Sequence, residues 1–127
     1  MPHNHDATYQ PIDTTEARTA TAAPGGTTGV ITNGSDFVVV TCDDANKVIT
    51  LPTPTPGVVV GIRNGTTGYE LRSSTPASVK INGGSASNAE SAIPASTLVI
   101  CVCDTATTWL CSNTDTAGVV SATEVAA

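Results

Sequence analysis

Short runs of β-branched residues, separated by turn residues, constrain the fold of this chain more than any other feature. Helix signals are nearly absent, and residues 83–96 are predicted to form a loop. Such spacing is typical of a sandwich or a barrel. We expect an all-β fold, a sandwich or barrel of about 8–9 short antiparallel strands with a jelly-roll-like arrangement favoured. The predicted strands are residues 30–32, 36–41, 47–51, 58–63, 69–73, 78–82, 97–103, 107–111 and 119–125.

The first 28 residues contain few large apolar side chains, namely Met1, Tyr9 and Ile12, and end near a Pro-Gly-Gly break. Such a segment cannot build a core of its own. The sequence therefore predicts an extended N-terminal arm at residues 1–28 and a single β domain at residues 29–127. We expect the arm to dock on a partner. On this interpretation, removal of residues 1–26 leaves a folded domain.

Two of the predicted strands are apolar on both faces. Residues 78–82 alternate strictly between polar and apolar, as a half-buried strand does, whereas residues 98–103 and 37–40 are apolar throughout. A strand of the second kind is either central in the fold or has a subunit interface behind it. The second alternative implies an oligomer.

Charge and composition exclude several classes of partner. The chain carries 5 Lys and Arg residues against 11 Asp and Glu, which gives a formal net charge of −6. Binding to a phosphate backbone needs several clustered cations, so nucleic acid and anionic membranes are poor partners. The sequence has no apolar run long enough for a membrane span, and its first residues lack the features of a signal peptide. We expect folding in a cytoplasm.

The histidines offer a weak metal site. His3, His5 and Asp6 are close enough in sequence to suggest ligands, but they lie at a terminus with no predicted element to position them. The sequence therefore predicts no metal and no cofactor. Because both histidines belong to the arm, no nucleophile and base can meet within the β domain.

Carboxylates are the other source of catalytic chemistry. Residues Glu70, Glu90, Asp104 and Glu124 could in principle supply a pair of the glycosidase type. Acidic residues scattered along strand faces are usually solvated instead. We predict that the chain is not an enzyme.

Three of the four cysteines fall within predicted strands. Cys101 and Cys103 share one strand face, and Cys111 lies in the next strand. Buried free thiols are favoured because cysteine packs as a small hydrophobe. A cross-strand disulfide of Cys111 with Cys101 or Cys103 remains open, as does metal binding. Trp109, the single tryptophan, is predicted to lie in the core and not on an exposed contact surface.

Several segments together resemble a known class of proteins. They are Lys47-Val-Ile-Thr-Leu-Pro52, Pro54-Thr-Pro-Gly57, Gly68-Tyr-Glu-Leu-Arg72, Ile81-Asn-Gly-Gly84, Glu90-Ser-Ala-Ile-Pro-Ala95 and Thr107-Thr-Trp109. Over about residues 47–113 the chain resembles small β-rich virion structural proteins of tailed bacteriophages, including phages of marine cyanobacteria.

Within that class, the combination of a short compact domain and a long N-terminal arm favours a capsid decoration (cement) protein over other virion components. Such a protein would bind the outer surface of the major capsid shell and staple neighbouring subunits with its N-terminal arm. The resemblance implies assembly in the host cytoplasm, a homotrimer, and an arm anchored by Tyr9, Pro11 and Ile12 that adds a strand to a sheet edge. The alternative is a tail-fibre or head-fibre module that binds a host surface glycan through an exposed aromatic residue or a carboxylate cluster at a loop tip.

Overall fold

The computed structural model describes residues 15–125 and is all-β, which confirms the predicted fold class. The described residues form ten strands in two sheets, consistent with a β-sandwich, and one short 3-10 turn at Thr27–Gly29. The strands are β1 (Thr15–Thr19), β2 (Phe37–Thr41), β3 (Val48–Thr50), β4 (Val59–Asn64), β5 (Tyr69–Arg72), β6 (Lys80–Ile81), β7 (Glu90–Ile93), β8 (Leu98–Thr105), β9 (Thr108–Thr114) and β10 (Val120–Ala122).

The larger sheet, sheet A, has the order β1-β2-β4-β8-β9-β10, and β6 also pairs with β9. The smaller, sheet B, has the order β3-β5-β7. Between β2 and β5 the chain alternates from one sheet to the other, and the proline-rich connection between β3 and β4 crosses from sheet B to sheet A. Each strand that returns to a sheet in this way lies beside the earlier strand of that sheet and runs parallel to it.

Four strand pairs are parallel, namely β1–β2, β2–β4, β3–β5 and β6–β9. An isolated parallel bridge between Val30 and Thr50 extends sheet B by one more contact. The first part of the domain is therefore a short parallel coil, followed by antiparallel pairs involving β7 to β10. The expectation of antiparallel, jelly-roll-like strands is wrong for the coil, because apolar alternation shows which face is buried but not the direction of the neighbouring strand.

The second half of the predicted arm belongs to the β domain. Strand β1 pairs with β2 along its whole length, and Ala20 is buried in the core. Thr21 exchanges two backbone hydrogen bonds with Val48, at 3.0 and 2.8 Å. The structure thus extends the domain back to at least residue 15, whereas the sequence places its start at residue 29. For residues 1–14, which lie outside the described part of the chain, the arm stays a prediction.

Polar contacts hold β1 in place, because this strand has few apolar side chains. Glu16 and Arg18 pair in register with Val38 and Val40 of β2, and the Arg18 guanidinium donates to Glu16 Oε2 at 3.0 Å. The backbone N–H of Thr32 donates to Glu16 Oε1 at 2.8 Å. Burial acts to raise the pKa of Glu16, but the hydrogen bonds from Arg18 and Thr32 outweigh it and place this pKa below its usual value. The hydrogen bond from Thr32 to Glu16 therefore ties the edge strand to the segment that follows it.

Between the sheets lies one apolar core. Trp109 is fully buried, as predicted, and Tyr69 and Leu71 reach the core from sheet B. Two strand predictions need correction. The predicted loop at residues 83–96 contains β7, whose four residues pair with β5, and the predicted strand at residues 30–32 contributes only the bridge at Val30.

Candidate functional surface

The outer face of sheet A is apolar and exposed. Alternate residues of β2, β4, β8 and β9 fill the core, so the residues between them point away from it. Most of the exposed large hydrophobic side chains in the described part of the chain come from these outward positions and from β10. They are Val39 (45% exposed), Val59 (48%), Val102 (37%), Leu110 (51%) and Val120 (66%).

Strand register makes these side chains neighbours. Val102 lies directly opposite Val59 on one side and Leu110 on the other, which gives an apolar row across three strands. In the next row Gly61 lies between Phe37 and Ile100. A Cβ built on Gly61 would come within 3.1 Å of the Phe37 ring, so the glycine makes room for that ring. We call the surface formed by these outward side chains the apolar face; its members are Phe37, Val39, Val59, Ile100, Val102, Leu110 and Val120.

The apolar face carries little charge. Its outward strand positions include one cation, Arg63, and one anion, Asp104. They lie at opposite ends, because Arg63 is paired with Leu98 at the start of β8 whereas Asp104 lies near its end. Arg63 lies between Val39 and Leu98, so the unbroken apolar row is the one formed by Val59, Val102 and Leu110. Clustered exposed apolar side chains of this kind are typical of an interaction site. The apolar face also explains why residues 98–103 and 37–40 are apolar on both faces: one side packs in the core and the other is exposed.

Three of the four candidate carboxylates come together on sheet B, while Asp104 lies on sheet A. Burial, followed by the nearby charges of Glu90 and Glu124, raises the pKa of Glu70. Arg72 donates to Glu90 Oε2 at 3.0 Å, and Glu124 Oε2 accepts from the backbone N–H of Ala92 at 2.8 Å. Glu90 and Glu124 thus have structural partners. Glu70 and Glu90 lie on separate strands and Glu124 follows β10, so no local sequence pattern indicates that the three carboxylates lie close together.

The comparisons with protein-family models, curated proteins and solved structures each find no match.

The other candidate sites from the sequence are the arm anchors and the possible metal ligands. The proposed arm anchors Tyr9, Pro11 and Ile12, and the candidate ligands His3, His5 and Asp6, all lie outside residues 15–125. Among residues 15–125, no group of three or more His, Cys, Asp or Glu side chains is arranged to hold a metal ion. The same residues include no helix long and apolar enough to cross a membrane.

The glycan-binding alternative needs an exposed aromatic residue or a carboxylate cluster at a loop tip. Within the described chain, Trp109 and Tyr69 are buried and Phe37 is partly covered. The turn after β2 does present two carboxylates, but Asp43 pairs with Lys47 at 2.7 Å and Asp44 accepts from the backbone N–H of Asn46 at 2.9 Å. These carboxylates are therefore engaged within their own turn.

Proposed function

We propose that this chain is a virion structural protein, a capsid decoration protein that binds the outer surface of a major capsid shell. The observation that supports an assembling structural protein is the apolar face of sheet A, which we assign to contacts between copies of the chain. The strands of sheet A are paired and their inward side chains pack in the core, so the exposed side chains of the apolar face add nothing to the core of a single copy. The burial of exposed apolar side chains by another protein is favourable. The assignment to a virion rests on the sequence resemblance over residues 47–113.

The apolar face is proposed to contact other copies of the same chain. Each copy has a formal net charge of −6, so two copies repel each other over most of their surface. The apolar face has one cation and one anion at its outward strand positions, so repulsion is weakest there. The expected assembly is the homotrimer that the resemblance implies, with apolar faces turned toward neighbouring copies.

The arm is proposed to hold the shell. Strand β1 is an edge of sheet A and begins at Thr15, so the proposed arm would start at that edge. Fully extended, about 14 residues reach on the order of 50 Å, enough to cross onto a neighbouring capsid subunit. Tyr9, Pro11 and Ile12 would then anchor the arm, which would add a strand to a sheet edge of the capsid protein.

Lysine substitutions test the self-association. In Val102→Lys and Leu110→Lys a cation replaces an apolar side chain at the centre of the apolar face. In the matched control, Val125→Lys, the same change is made at an exposed valine that follows β10. All three variants reduce the negative charge equally, so electrostatics alone would make all three associate more strongly. We expect sedimentation velocity to show a trimer for the wild type and the control, and a monomer for the two face variants.

Co-sedimentation with expanded tailed-phage capsids tests the shell contact. The full chain should sediment with capsids, and a variant that lacks residues 1–14 should remain in the supernatant. A wild-type chain that is monomeric at high concentration and does not bind capsids would contradict the proposal. Equal binding by the truncated chain would contradict the role of the arm alone.

A further inference from the structure

Two of the four cysteines are placed to react with each other. Cys42 Sγ donates to the carbonyl of Asp44 at 3.0 Å, and Cys103 Sγ donates to the carbonyl of Thr105 at 3.1 Å. The other two, Cys101 of β8 and Cys111 of β9, are directly opposite each other in the antiparallel ladder, and both are buried and free.

The backbone hydrogen bonds show what kind of pair this is. The N–H of Cys111 donates to the side chain of Asn82 at 2.8 Å, and its carbonyl accepts from Asn82 at 2.9 Å, so both groups point away from β8. On β8, the N–H and carbonyl of Cys103 bond to Val58 and Gly57, beside β4. Cys101, two residues earlier, has the same orientation. Cys101 and Cys111 thus form a pair that exchanges no backbone hydrogen bonds.

Such a pair has the closest side chains in an antiparallel sheet. Its Cα atoms are about 4.5 Å apart in a regular ladder, and a disulfide spans about 4.4 to 6.8 Å between Cα atoms. The two thiols also share the inner face of sheet A, because both residues are buried. A bond between them therefore needs no rearrangement of the strands.

The surroundings slow the reaction of these thiols in the closed fold. Burial, together with the neighbouring Cys111 thiol, raises the pKa of Cys101 well above its usual value. The thiolate is the reactive form, so attack on an external disulfide must wait until the hairpin opens or must occur before the sheets close.

We propose that Cys101 and Cys111 form a cross-strand disulfide when the protein meets an oxidising environment. The oxidant is a small-molecule disulfide such as oxidised glutathione. One cysteine thiolate attacks it, which forms a mixed disulfide and releases one glutathione thiol. The second cysteine then displaces the other glutathione, so two protein thiols are oxidised to one disulfide and two glutathione thiols are formed.

The bond would lock the strands that carry the centre of the apolar face. Ile100 and Val102 flank Cys101 on β8, and Leu110 precedes Cys111 on β9. A protein folded with reduced thiols in a cytoplasm would gain this cross-link after release. The proposal depends only on the β8–β9 geometry and holds whether or not the chain decorates a capsid.

The test is oxidation of the full-length protein with glutathione disulfide, read by intact mass, thiol titration and thermal unfolding. The wild type should lose the mass of two hydrogen atoms and two of its four thiols, with no glutathione retained. Chymotrypsin cleaves near Trp109, which separates Cys101 from Cys111, so the cross-linked peptides identify the bond. Closing a loop of about ten residues should raise the midpoint of thermal unfolding by about 10 °C relative to the reduced protein.

Alanine variants assign the partners. Cys101→Ala and Cys111→Ala should keep their remaining thiols and show no shift in the unfolding midpoint, whereas the matched control Cys103→Ala should oxidise like the wild type. A cross-link that persists in Cys101→Ala or disappears in Cys103→Ala would overturn the assignment. The proposal also fails if the wild type keeps four thiols when refolded in the presence of glutathione disulfide, since refolding removes the protection that burial provides.

Discussion

At the scale of single residues, Tyr69 is one of four described residues with a buried polar side-chain atom that has no hydrogen-bond partner, the others being Arg18, Ser91 and Trp109. Its side chain is 1% exposed, and its hydroxyl has no hydrogen-bond partner among the described groups. Burial, with the nearby cysteines, raises its pKa well above the usual value, so the phenol stays neutral. An unpaired buried hydroxyl costs about 1–3 kcal/mol of desolvation that nothing offsets.

Removal of that hydroxyl should therefore stabilise the fold. We expect Tyr69→Phe, which keeps the ring, to raise the free energy of unfolding by about 1 kcal/mol, measured by urea denaturation. Tyr69→Ala serves as the contrast and should lose about 3–5 kcal/mol through the cavity it creates. A clear loss of stability in Tyr69→Phe would mean that the hydroxyl has a partner after all.

Glu70 gives a prediction that depends on pH. Its pKa is raised in the folded state by burial and by Glu90 and Glu124, so the folded protein binds a proton more tightly there than the unfolded chain does. The charged form therefore destabilises the fold once the pH exceeds the raised pKa. Glu70→Gln should gain up to about 1 kcal/mol near pH 7 and nothing near pH 3, where both side chains are neutral.

Denaturant unfolding at the two pH values measures this difference. Asp104→Asn is the matched control, because it removes the same charge from sheet A, away from the cluster on sheet B. An equal gain for Glu70→Gln at both pH values would show that its effect is steric and not electrostatic.

At the scale of elements, β1 decides where the domain begins. Deletion of residues 1–14 keeps β1 and its pairing with β2, so we expect the thermal midpoint to stay close to that of the full chain. Deletion of residues 1–26 also removes Ala20 from the core, as well as the hydrogen bonds between Thr21 and Val48. The second truncation should unfold at a lower temperature and aggregate, because the edge of β2 is then unprotected.

Circular dichroism and size-exclusion chromatography of both truncations provide the measurement. This expectation replaces the sequence-based one, in which removal of residues 1–26 leaves the domain intact. If the two truncations are equally stable, the pairing of β1 contributes nothing to the fold.

The elements that the sequence does not predict share a physical cause. β1 is held by its backbone ladder with β2 and by the hydrogen bond from Thr32 to Glu16, and β7 is a four-residue strand without a β-branched run. Both gain their stability from a neighbouring strand, which a local pattern cannot show. Longer strands such as β8 and β9 carry enough apolar residues to be predicted, and Trp109 lies in the core for the same reason.

At the scale of the whole molecule, the sequence predicts the all-β class and the two-sided apolar strands, but not how those strands are arranged. The parallel coil arises because the chain crosses between sheets after each strand from β2 to β4. The alternation of apolar and polar residues is the same in parallel and antiparallel strands, so it does not predict strand direction. The apolar face depends on the same arrangement. Val59 and Val102 become neighbours, and Phe37 and Ile100 lie on either side of Gly61, only after β2, β4 and β8 pair in this register.

The balance between charge and apolar surface should make self-association depend on salt in a defined direction. Copies of a chain with a formal charge of −6 repel each other, and salt shortens the range of that repulsion to about 10 Å at 0.1 M and about 3 Å at 1 M. The proposed contact is apolar, so screening should not weaken it. Sedimentation velocity should therefore show stronger association of the wild type as sodium chloride is raised, while Leu110→Lys stays monomeric throughout. Weaker association of the wild type at high salt would mean that ion pairs, and not the apolar face, hold the copies together.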